Sequence, residues 1–145
     1  MKKLQLDTGV EEYALSCGGV LRFNPRDPGL YARLMEAMEN LEALETDLAR
    51  KAQALSPEDG AGALRLMGEA DREARRLLTW IFGPDNDFGK LLRGVNLLAV
   101  GANGQRVLTN FFTAMAPVLT AGAEDCVRQE SLAATQKANA RRAGQ

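Results

Sequence analysis

The residues best placed to do chemistry are the paired acids Glu36-x-x-Glu39 and Glu42-x-x-Glu45. Carboxylates three apart share a helix face. Such pairs hold a magnesium ion for phosphate hydrolysis when further acids converge on them from a facing helix. The facing segment here offers Glu69, Asp71 and Glu73 set among arginines, so the acids read as a solvated face and no metal is expected. Asp85-Asn86-Asp87 resembles the opening of a calcium loop, but Gly89 stands one position early and no closing glutamate follows, which leaves a turn and a cap. Gly101-x-x-Gly104 follows no convincing strand and lacks the lysine or third glycine of a phosphate loop. The chain has no histidine, which removes the commonest general base and zinc ligand together. Cys17 and Cys126 lie far apart in sequence without metal-knuckle spacing and read as buried or idle thiols. No catalytic residue and no cofactor is expected, and the protein reads as a non-enzyme.

Lys+Arg 18 against Asp+Glu 19 gives a formal charge of -1, so nothing draws the whole molecule to nucleic acid or to an anionic membrane. At 145 residues a single domain is expected. Gln5, Asp7, Glu11 and Glu12 interrupt any apolar core of a signal peptide after Lys2 and Lys3. No apolar run reaches the roughly 18 residues of a membrane span. A soluble cytoplasmic protein without membrane or nucleic-acid partners is the expectation.

The elements that must position these residues meet at Phe23-Asn24-Pro25-Arg26-Asp27-Pro28. Pro25 biases Asn24 away from helix, Asp27 can cap free N–H groups, and Pro28 suits a first helical turn. Before this hinge, weak alternation around Cys17-Gly18-Gly19 predicts a β-hairpin within residues 1–25. After it, residues 27–82 predict an antiparallel helical hairpin. From Pro28 to about Leu55, Leu30, Leu34, Ala37, Leu41, Leu44, Leu48 and Leu55 form one stripe, with Ser56-Pro57 opening a second helix whose stripe runs from Ala63 to Ile81. Tyr31, Met35 and Met38 form an apolar shoulder, which the β-hairpin is expected to cover. Trp80 lies off the second stripe. Residues 85–121 predict a C-terminal helical part: a short helix ending near Gly94, then a hairpin or helix start around Asn103-Gly104, then a helix on Val107, Leu108, Phe111 and Met115 kinked at Pro117. Residues 122–145 read as a frayed basic tail without the interleaved aromatics of a nucleic-acid binder. The class is mainly α with an N-terminal β-hairpin.

In their order these signatures resemble the small tail-assembly chaperones of long-tailed phages and prophages of Gram-positive bacteria. The matching features are the hairpin running into Phe23-Asn24-Pro25-x-Asp27, Tyr31-Ala32-Arg33-Leu34, Ile81-Phe82-Gly83 with Asp85-Asn86-Asp87, and Asn103-Gly104 leading to Asn110-Phe111. The resemblance spans residues 10 to 120. It implies a cytoplasmic, non-enzymatic protein of the bacterial host that binds the tape-measure protein and assists polymerisation of major tail protein around it, with a homo-oligomer as one possible state. Under it, Phe23, Tyr31, Met35 and Met38 are the first partner contacts, and Trp80, Phe111 and Phe112 the next. A neck or tail component of the virion and, more remotely, a helical metal-dependent nucleotide hydrolase are the alternatives.

Overall fold

A computed structural model describes residues 1–144. Two long helices carry the framework, α1 (Pro28–Gln53) and α2 (Gly60–Phe82). Asp27 caps α1, its Oδ1 accepting the Gly29 N–H at 2.8 Å, with proline in the first turn as the sequence predicts. Leu30, Ala37, Leu41 and Leu44 of α1 and Ala74, Leu77, Leu78, Ile81 and Phe82 of α2 then enter the core. The start of α2 differs from the expected Ser56-Pro57. Asp59 is the cap, accepting the Gly62 N–H at 2.9 Å, and Ser56 bonds Glu58 instead. A Cβ on Gly62 would overlap the Asp59 carboxylate, so a glycine that weakens the helix by propensity is what lets its cap close. At the far end Gly83 adopts φ 109° and stops α2. Arg33 reaches across from α1 and donates to the Ile81 carbonyl at 3.1 Å, placing its charge at the negative end of α2.

The β-hairpin is shorter than the weak alternation suggested. Strands β1 (Glu11–Ala14) and β2 (Val20–Phe23) pair antiparallel, Glu11 opposite Phe23 and Ala14 opposite Val20. A hairpin of two strands is marginal alone, and two anchors hold this one. Asn86, 2% exposed, accepts the Arg22 N–H and donates to the Arg22 carbonyl, both at 2.8 Å, as a third strand would. Its amide also donates to the Phe82 carbonyl at 3.0 Å, tying β2 to the end of α2. The tip is the second anchor: Cys17 donates to the Leu91 carbonyl at 3.1 Å, and Arg93 donates to the Cys17 carbonyl.

Asp87 caps the short helix α3 (Phe88–Leu91) through the Gly89 and Lys90 N–H groups. Between α3 and the last helix the chain does both things the sequence allowed. A single β-bridge joins Val100 to Arg106 around the Gly101–Gln105 turn, and a helix starts at Val107. Asp71, 6% exposed on α2, accepts the Leu97 N–H at 2.7 Å and pairs with Arg75 at 2.7 Å, so Leu97 and Leu98 are drawn into the core.

The last helix, α4 (Val107–Ala143), has 37 residues and runs on through Pro117 and Gly122. The segment expected as a frayed basic tail is helical as far as Ala143; residue 145 lies outside the described residues. The alanine-rich composition explains the continuation, since Ala, Gln, Lys and Arg are good helix formers. Gly122 is no break. It is buried where α4 crosses the hinge, and a Cβ there would overlap the Pro25 carbonyl and the Tyr31 hydroxyl. From Val127 to Gly144 every side chain is exposed.

Two helical glycines should respond to alanine with opposite signs. Gly68, with open space at its Cβ position, should gain up to about 1 kcal/mol as Gly68→Ala through helix propensity. Gly122→Ala should lose about 1–3 kcal/mol despite the same propensity gain, because the new methyl pushes α4 off the hinge. Urea unfolding of both variants measures this.

Candidate partner-binding surface

The acids that might have converged do not. Glu36, Glu39, Glu42 and Glu45 are exposed along α1, and Glu45 pairs with Arg106 at 3.4 Å. Asp71 is buried and committed to Leu97 and Arg75. Among the described residues no group of three or more His, Cys, Asp or Glu side chains could hold a metal ion. In the calcium-like triplet Asn86 turns inward and Asp87 caps α3. Neither thiol is fully buried: Cys17 is exposed at the hairpin tip, and Cys126 is half-buried with its thiol donating to the Arg26 carbonyl at 2.9 Å.

The seven candidate contact residues separate into four groups. Phe23 and Phe111, at 4% and 6% exposure, are core residues and are corrected from the partner list. Phe23 stacks on Tyr13 at 5.1 Å and meets Phe82 edge-on at 5.2 Å, while Phe111 meets both Phe82 and Phe88 edge-on. Their aromatic surface is spent on neighbouring rings.

Tyr31 forms a lock within the fold. Its hydroxyl lies 2.6 Å from the Pro25 carbonyl and 2.9 Å from that of Leu119, and its single proton serves one of them at a time. The covering of the shoulder is thus corrected. Instead of the β-hairpin, α4 covers Tyr31, and it leaves Met35 71% exposed. Trp80 is 43% exposed on α2.

Met38 and Phe112 are the pair that the fold brings together. They line one open groove of about 420 Å³ between α1 and α4, together with the buried Leu41 and Leu108 and the exposed Ala116. Glu42 and Glu45 wall it on the α1 side, and Thr109 and Thr113 on the α4 side. Sequence reasoning placed Leu41 and Leu108 on core stripes and missed the role of Ala116. The available signal was a second register on α4: Leu108, Phe112 and Ala116 recur every four residues beside the buried Leu108, Phe111 and Met115. An apolar floor with one acidic wall suits the apolar face of another helix with basic residues along one flank.

Tyr13 on β1 and Tyr31 on α1 both titrate high. Burial pushes the Tyr13 hydroxyl up to about 12, aided by its 2.7 Å hydrogen bond to the Glu11 carboxylate. Burial also raises Tyr31, with Cys126 and Asp125 nearby adding to the effect. Both folded values lie above the ordinary tyrosine value of about 10, so the stabilisation is complete below about pH 10 and is lost as pH rises toward about 12. Urea midpoints from about pH 8 to about pH 12 should hold level and then fall, and Tyr13→Phe should make that fall shallower.

Comparison with protein-family profiles, with curated proteins and with solved structures finds no match to this chain.

Proposed function

We propose that this protein is a tail-assembly chaperone that binds the tape-measure protein and assists tail tube polymerisation, acting by holding a helix and not by chemistry. The observation that carries the reading is the groove between α1 and α4. It is apolar at its floor, open to solvent, and rimmed by Met38 and Phe112. A tape-measure protein is a long helical polypeptide whose apolar faces must be shielded before assembly. A methionine and an aromatic ring at the rim let one groove accept helices of varied sequence, because the thioether repacks easily and the ring offers large area at small entropic cost. Glu42 on the α1 side, with Glu45 already paired to Arg106, favours segments with lysine or arginine beside the apolar stripe. Met35 and Trp80, exposed elsewhere on the same two-helix frame, extend the apolar area that a long client can touch.

Coexpression with a tape-measure protein, followed by affinity capture, tests the reading. A complex should be recovered, and Met38→Asp combined with Phe112→Asp should weaken it by about a hundredfold or more. Leu64→Asp, a change at an exposed position outside the groove, should leave it intact. Absence of any complex at micromolar concentrations, or equal capture by the groove variant with its circular dichroism melt unchanged, would sink the proposal.

A further inference from the structure

The N-terminal arm, residues 1–7, is exposed throughout, with Leu4 and Leu6 at 93% and 83% exposure. Its sequence alternates: Leu4 and Leu6 would share one face of an extended strand, and Lys3, Gln5 and Asp7 the other. Two bulky side chains left in water on a strand-patterned segment call for a sheet edge to receive them. The fold supplies one. On β2 the Arg22 backbone points away from β1 to Asn86, so Arg22 opposite Glu12 is a pair that exchanges no backbone bonds. By the alternation of an antiparallel ladder, the backbone groups of Glu12 and Ala14 then point to the outer side of β1. Among the described residues that side carries no strand, since the sheet consists of β1 paired with β2. An open edge of this kind is a template for strand addition.

The faces match as well as the backbones. Tyr13 and Leu15, half-buried against the core, end the apolar face of the hairpin at β1. A strand laid beside β1 with Leu4 and Leu6 on that face would continue it. Its other face would then put Lys3 beside Glu12, and Lys2 and Lys3 bring positive charge to the Glu11-Glu12 edge.

The arm does not reach its own edge. Asn24 donates from its Nδ2 to the Thr8 carbonyl at 2.9 Å, and Gly9 at φ 73° packs against the Asn24 side chain. Thr8 and Val10 line the same cavity as Arg22, Asp85 and Asn86. The chain preceding β1 therefore leaves on the β2 side of the sheet, opposite the open edge. We infer that the arm of one copy adds as a third strand to the β1 edge of a second copy, each copy giving an arm and receiving one, so that the protein is an arm-exchanged dimer. Such an interface is self-complementary and closes with two-fold symmetry. It lies on the hairpin, away from the groove proposed for the client.

Sedimentation of the full chain should give a dimer, and Leu4→Asp combined with Leu6→Asp should weaken it about a hundredfold. A disulfide trap identifies the occupant of the edge. In a Cys17→Ser, Cys126→Ser background, cysteine is placed on the arm as Lys3→Cys or Gln5→Cys together with Glu12→Cys or Ala14→Cys. Mild oxidation should yield a covalent dimer from at least one pairing. An intrachain disulfide would overturn the inference by showing the arm on its own edge. A full chain that sediments as a monomer, or a dimer indifferent to the aspartates at positions 4 and 6, would overturn it too.

Discussion

Four phenylalanines, one from each of four elements, converge at the centre of this fold, and the remaining packing depends on their meeting. Phe23 comes from β2, Phe82 from the last turn of α2, Phe88 from α3 and Phe111 from α4. Phe82 touches all three others, with ring centroids at 5.2, 6.1 and 5.6 Å. Edge-to-face rings supply both area and direction, so the cluster fixes where the hairpin and the final helix sit on the helical frame. Without it, α1 and α2 would still pair along their stripes. The hairpin, α3 and α4 would lose their common seat.

Around that centre, two buried polar side chains decide the course of the loops. Asn86 supplies a donor and an acceptor to β2, doing with one side chain what a neighbouring strand does with its backbone. Asp71 receives the Leu97 N–H and so seats the loop that leads into α4. A buried polar group without partners would cost more than it contributes, and each of these is paired. One consequence reaches the sheet. Because Asn86 occupies the outer edge of β2, only the β1 edge stays open.

The elements governed by local chemistry were legible in the sequence. Asp27-Pro28 caps α1, Asp87 caps α3, and the stripes of α1 and α2 face each other, because caps and periodicity are written in residues a few positions apart. What depended on distant contacts was not. Periodicity put Phe111 on the inward stripe with Leu108 and Met115, where it is buried, but nothing local tells that its neighbour Phe112 lines a groove against α1. Gly122 marked only the start of the expected frayed tail; what requires a glycine there is the hinge backbone lying against it, contributed by residues far earlier in the chain. Asn86 read as part of a turn, and nothing local announces that it serves β2.

The same division explains how the surfaces arise. A helix pair buries one stripe on each member, but α4 packs against the frame at an angle that spends Phe111 and Met115 inward and leaves Phe112 turned toward Met38. At the hinge end Gly122 permits α4 to contact the backbone of Pro25 and the Tyr31 hydroxyl, and the groove opens farther along between α1 and α4. Its acidic wall is equally a by-product of amphipathicity, since the glutamates of α1 had to face water. A chaperone role for such a surface demands no reactive group. Under the proposed role the surface would require only that a partner cover the apolar lining and that Met38 and Phe112 repack around it.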